Sequence, residues 1–108
     1  MNCYEHTIIT KSDLSENQSK KLIEKYENII KKNNGKIIKI ENWGLRVLSL
    51  KIKNNKKGFY HHFKFEGDGN AISELEKEES IDETLLRFLT IKVKSHDLKT
   101  VYFEKKES

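Results

Sequence analysis

The strongest constraint on this chain is the order in which its apolar residues change period. Alternation with a period of two gives way to helical spacing and returns in two successive runs. Helical spacing follows again, and one short apolar run ends the series. Residues 3–10 read as a strand in which Tyr4, Ile8 and Ile9 supply the bulk. Ser15-Glu16-Asn17-Gln18 has the form of a capping box, so a helix opens there. Its Leu22, Ile23, Tyr26, Ile29 and Ile30 recur at helical spacing and build one stripe to bury. Asn33-Asn34-Gly35 closes the helix, because Gly and Asn tolerate the left-handed conformation of a helix end.

A long strand is expected over residues 36–53, with a bend or bulge at Asn42-Trp43-Gly44. Beyond the bend Leu48, Leu50 and Ile52 share one face, while Lys51 and Lys53 take the other. Residues 54–58 are the expected hairpin connection. The return strand, residues 59–66, carries Phe59, His61, Phe63 and Phe65 on one face and Tyr60, His62 and Lys64 on the other. Gly67-Asp68-Gly69-Asn70 reads as a turn and N-cap before a short acidic helix that buries Ala71, Ile72 and Leu75. The last strand, residues 85–94, is apolar on both faces. With Phe88 turned inward, its other face presents Leu89 and Ile91 beside Tyr60 and Ile9, a patch that suits a protein partner.

This order of elements, with right-handed crossovers, specifies an α+β ferredoxin-like βαββαβ sandwich. Two helices cover one face of a four-stranded antiparallel sheet and leave the other uncovered. Residues 1–94 fit one domain, and residues 95–108 a polar tail expected to be flexible.

Charge is sharply divided along this fold. Between Lys36 and Lys64 eight basic residues face a single acid, Glu41, whereas eight acids and only Lys77 lie between Glu66 and Glu83. A basic strand pair in a rigid sheet is a natural surface for a phosphate backbone. Lysine also guards exposed strand edges, which is the plainer explanation for part of this cluster. Arginine is scarce here, so Arg46 and Arg87 are the more telling cations, as only a planar fork grips phosphate in two places.

Other chemistries find little support. His61 and His62 point to opposite faces of a strand and cannot chelate one ion, and His6 and His96 lack partners at ligand spacing. No paired carboxylates, nucleophile elbow or Cys/His arrangement stands out, so no catalytic residue, metal or cofactor is expected. Lys57-Gly58-Phe59 matches the start of an RNA-recognition motif, but the match stops there, since that motif wants a small residue at Tyr60 and an aromatic at His61. Phe59 also shares a face with Phe63 and Phe65 and reads as core rather than a base-stacking platform. Trp43 is expected to pack at its bend. No apolar run approaches a membrane span or a signal-peptide core, and the single cysteine, Cys3, permits no internal disulfide. A cytoplasmic protein is expected.

Read in order, the segments resemble the bacterial small-subunit ribosomal protein number six family. Tyr4-Glu5 is similar to that family's first strand, and Asn42-Trp43-Gly44-Leu45-Arg46-Val47-Leu48 to its second. Lys57-Gly58-Phe59-Tyr60 resembles the third strand, Ile72 to Leu75 the second helix, and Leu85-Leu86-Arg87 the fourth strand. Many members carry a Tyr-Pro pair where Leu50 and Lys51 stand here. The resemblance implies a non-catalytic, ribosome-associated protein without a small-molecule substrate. It further implies binding to small-subunit rRNA beside the small-subunit ribosomal protein numbered eighteen. On this reading Arg46, Lys51, Lys53, Lys56, Lys57 and Arg87 contact RNA, and Tyr60, Leu89 and Ile91 belong to the partner face. The rivals are a stand-alone module for single-stranded RNA, and an acylphosphatase-like enzyme whose phosphate loop would be Lys11-Ser12-Asp13.

Overall fold

The computed structural model describes residues 2–95. The rest of the expected tail, including His96, lies outside the described residues. The elements are β1 (Asn2–Lys11), α1 (Glu16–Lys32), β2 (Lys36–Ile52), β3 (Asn55–Gly67), α2 (Gly69–Ser80) and β4 (Leu85–Val93). The strands lie in the order β2-β3-β1-β4, every neighbouring pair antiparallel, as a ferredoxin-like sandwich requires.

The helices form where the sequence places their signals. Ser15 caps α1 by accepting from the Gln18 amide, while the Gln18 side chain accepts from the Ser15 amide. Asn34, not Gly35, takes the left-handed conformation at the far end, with φ 66°. Gly35 is needed for a different reason. A Cβ there would stand 2.5 Å from the Ile30 side chain and 2.7 Å from its carbonyl. Asp68 caps α2 through the Asn70 amide.

Leu22, Tyr26 and Ile30 of α1 and Ala71 and Leu75 of α2 pack on Ile8, Phe63, Phe65 and Leu85 of the sheet. Phe88 turns toward this core, which settles the facing of β4. One polar pair sits within it. His6 and Glu79 are both buried, with Nε2 2.5 Å from Oε2, and the other His6 ring nitrogen lies 2.6 Å from the Thr90 hydroxyl.

The hairpin departs from expectation. Its turn is the two residues Lys53 and Asn54, both at positive φ (48° and 65°), between the paired Ile52 and Asn55. β2 has a register irregularity between Val47 and Ile52, and this breaks the simple alternation. Leu48 is buried and Ile52 partly so, but Leu50 is 81% exposed rather than sharing their face.

Candidate nucleic-acid interface

The hairpin end is where the basic residues gather, and its path differs from a projecting finger. Leu48 and Ile52 pack against Ile9, Leu86 and Tyr60 on the face away from the helices. The arm therefore curls back over the sheet instead of standing clear of it. Leu86 reaches this cluster because β4 has a bulge opposite Ile9 and Thr10, so Leu85 and Leu86 bury on opposite sides. Lys51, Lys53, Lys56 and Lys57 remain exposed, with no ion pair to another described residue. Lys53 and Arg87 line one groove with Leu86 and with Glu79 and Ser80 of α2. The curl thus brings the hairpin tip beside the start of β4, which the sequence alone did not indicate.

Along the same face β4 presents Arg87, Leu89 and Ile91, opposite Ile9, Thr7 and Glu5 of β1. Leu89 is 54% exposed and Ile91 52%. Tyr60 shares the face but is half-buried in the cluster with Ile9 and Leu86, so its ring supports the patch more than it extends it. An exposed apolar strip therefore lies next to a cationic one.

The β2 half of this face is polar and buried. The bulge at Asn42–Gly44 brings Trp43 onto His62, ring centroids 4.5 Å apart and planes 14° from parallel. Trp43 is a packing residue here, as its position at the bend suggested. Trp43 Nε1 donates to Glu41 Oε1 at 2.8 Å, and Lys64 Nζ stands 3.3 Å from Glu41 Oε2. His62 Nε2 lies 3.0 Å from Glu5 Oε1 and its Nδ1 2.7 Å from the Thr7 hydroxyl. Burial pushes the Glu41 carboxyl up, but hydrogen bonds from Trp43 and Lys64 and the nearby lysine charges outweigh it, and the group titrates below its ordinary value. Burial holds the His62 imidazole below its ordinary value even with Glu5 alongside.

Sequence reasoning missed this network. Lys64 counted as one more surface cation, yet it is 0% exposed and paired with Glu41, and Lys39 also lies 3.7 Å from that carboxylate. The eight-to-one excess is thus partly neutralised at its middle and survives at the hairpin end. The cross-strand register, which sets Glu41 opposite His62 and Lys39 opposite Lys64, is the signal that reveals it. Arg46 sits between network and hairpin, its Nε donating to the Trp43 carbonyl at 3.1 Å.

No group of three or more His, Cys, Asp or Glu side chains could hold a metal among the described residues. No helix among them is long and apolar enough to cross a membrane. A groove between α1 and the β2 edge is rimmed by Glu16, Glu24 and Glu27 with Lys20, which disfavours RNA there. What the hairpin face can do is hold phosphates on cations and seat an apolar partner.

Known proteins resemble this chain along most of its length. A sequence profile described as ribosomal protein S6 matches residues 3–92. The small ribosomal subunit protein bS6 of Pelagibacter ubique is 53% identical over 107 residues, which is 99% of this chain and 88% of that one. The bS6 protein of Brucella anthropi is 38% identical over 97 residues, covering 90% of this chain but only 64% of its own length. The crystal structure of 30S ribosomal protein S6 from Thermotoga maritima matches with a TM-score of 0.81 and 29% identity, covering 85% of this chain and 87% of that one. The chain belongs to the ribosomal protein S6 family, whose members are structural, non-enzymatic proteins of the small ribosomal subunit.

Proposed function

We propose that this protein binds small-subunit rRNA together with the small-subunit ribosomal protein numbered eighteen, and so supports subunit assembly and translation. The observation that carries the reading is the juxtaposition on one face. Lys51, Lys53, Lys56 and Lys57 are exposed at the curled hairpin, Arg87 shares a groove with Lys53, and Leu89 and Ile91 continue the same strand. Cations take the phosphates, with Arg46 the further candidate, and the apolar strip with Tyr60 takes the companion protein. Recognition of this kind reads RNA shape and backbone. A stand-alone module for single-stranded RNA is not favoured, because Phe63 and Phe65 are fully buried beneath the helices and cannot stack on bases.

The test is a salt titration of binding to a transcript of the central domain of small-subunit rRNA, with the companion protein present. A Lys53→Ala/Lys56→Ala/Lys57→Ala variant should weaken binding, with the log–log salt slope shallower by about one for each lost phosphate contact. An unchanged slope would remove the hairpin from the interface. Leu89→Glu with Ile91→Glu should abolish the companion's contribution while leaving the fold intact. An undiminished contribution would place the companion elsewhere.

A further inference from the structure

The polar cluster beside the hairpin is more elaborate than packing requires. Lys64 and Glu41 are an ion pair at 0% and 6% exposure, and apolar residues of similar volume commonly serve stability as well as such a pair does. Among the described residues its contacts reach Arg46. Gly44, at φ 80°, sends its amide to Asn42 Oδ1 at 2.9 Å and closes the bulge, which lifts Trp43 out of the pairing between β2 and β3. The Trp43 carbonyl then accepts from Arg46 Nε. The carbonyl is a main-chain group of the bulge, and the indole of the same residue is held by the stack on His62 and by the hydrogen bond to Glu41. His62 is held in turn by Glu5 and Thr7, and Glu41 by Lys64.

We infer that this cluster is a positioning device for Arg46, and that Trp43 and Glu41 influence RNA affinity through the orientation of that guanidinium; the inference rests on Arg46 being an RNA contact, as proposed above. Arginine is a flexible side chain with a planar fork, and a fork already oriented loses less freedom when it meets a phosphate. Trp43 and Glu41 are positioning residues in this scheme and need not touch RNA.

A double-mutant cycle on the full-length chain tests it, using the same rRNA transcript and companion protein. The variants are Trp43→Phe, Arg46→Ala and their combination, each checked for folding by thermal unfolding. Trp43→Phe keeps a ring over His62 but loses the donor to Glu41. It should weaken RNA binding about three- to tenfold when Arg46 is present and have no further effect in the Arg46→Ala background. An equal loss in both backgrounds, or none in either, overturns the positioning role. Should Arg46→Ala alone leave affinity unchanged, the reading of Arg46 as an RNA contact falls, and the inference with it. Glu41→Gln runs through the same cycle, so a Trp43 variant that fails to fold leaves the question answerable. It keeps an acceptor for the indole but removes the charge paired with Lys64, and the same non-additivity with Arg46 is expected.

Discussion

The two faces of the sheet are built on opposite principles. Beneath the helices, Ile8, Phe63, Phe65, Tyr26 and Leu75 are fully buried, with the polar pair of His6 and Glu79 set among them. On the other face the apolar cluster is Ile9, Leu48 and Leu86 with flanking Ile52 and Tyr60, and the Lys64–Glu41 ion pair and the His62–Glu5 hydrogen bond lie on the β2 side. The first face holds the fold together, and the second leaves cations and apolar residues exposed. If that division is right, truncations on the two faces should differ widely. Phe63→Ala should cost about 3–5 kcal/mol, whereas Leu89→Ala should stay within about 0.5 kcal/mol. Urea unfolding of both variants is the measurement, and comparable losses would break the contrast.

The next effect concerns the buried charges of the second face. Glu41→Ala leaves the Lys64 ammonium buried without its carboxylate, which should cost about 3 kcal/mol. Adding Lys64→Met to that variant should restore most of the loss, since the buried ammonium is then gone. A Glu41→Ala variant as stable as the parent would mean that Lys64 reaches solvent readily.

These effects also mark how far the sequence could be read. Helical spacing in α1, the capping box at Ser15 and the alternation of β3 are local signals, and local structure follows them. β4 is apolar on both faces, so its sequence left the facing open with Phe88 inward as the favoured choice, and packing on the core decides it. What escaped were long-range pairs. His6 and Glu79 lie 73 residues apart, and only the packing of α2 across β1 joins them. The strand parity that puts Ile8 in the core places His6 there too, so its burial was available though its partner was not. The curl of the hairpin was not legible, because a register shift is set by the backbone pairing of two strands and leaves no periodic trace.

Two neighbouring histidines sharpen the comparison in a pH titration. His61 faces the helices and His62 the other side, and burial holds both below the ordinary value of 6.5. The unfolded chain then binds protons more readily than the folded one, so each contributes stability that is lost as the pH falls below about 6.5 toward the folded value. His62 has Glu5 to oppose its shift, whereas burial alone acts on His61. His61→Asn should therefore flatten the acid loss more than His62→Asn. Glu79 runs the other way. Burial raises its carboxyl despite His6, so its contribution weakens as the pH rises from 4.5 toward that raised value, and Glu79→Gln should remove this slope. Unfolding midpoints between pH 4 and 7.5 separate these cases, and equal slopes in all three variants would refute them.

The smallest expected effect lies at the hairpin turn, where stability and partner binding pull in opposite directions. Lys53 occupies a left-handed position at φ 48° that glycine adopts at little cost, while a side chain there carries strain. Lys53→Gly should raise stability by about 0.5–1 kcal/mol by relieving that strain. The same change removes a cation from the groove shared with Arg87, so the salt slope of RNA binding should become shallower by about one. Gain in one assay with loss in the other would show that this turn keeps a strained lysine for its charge. Greater stability with an unchanged slope would instead take Lys53 out of the RNA surface and confine the contacts to Lys51, Lys56, Lys57 and the two arginines.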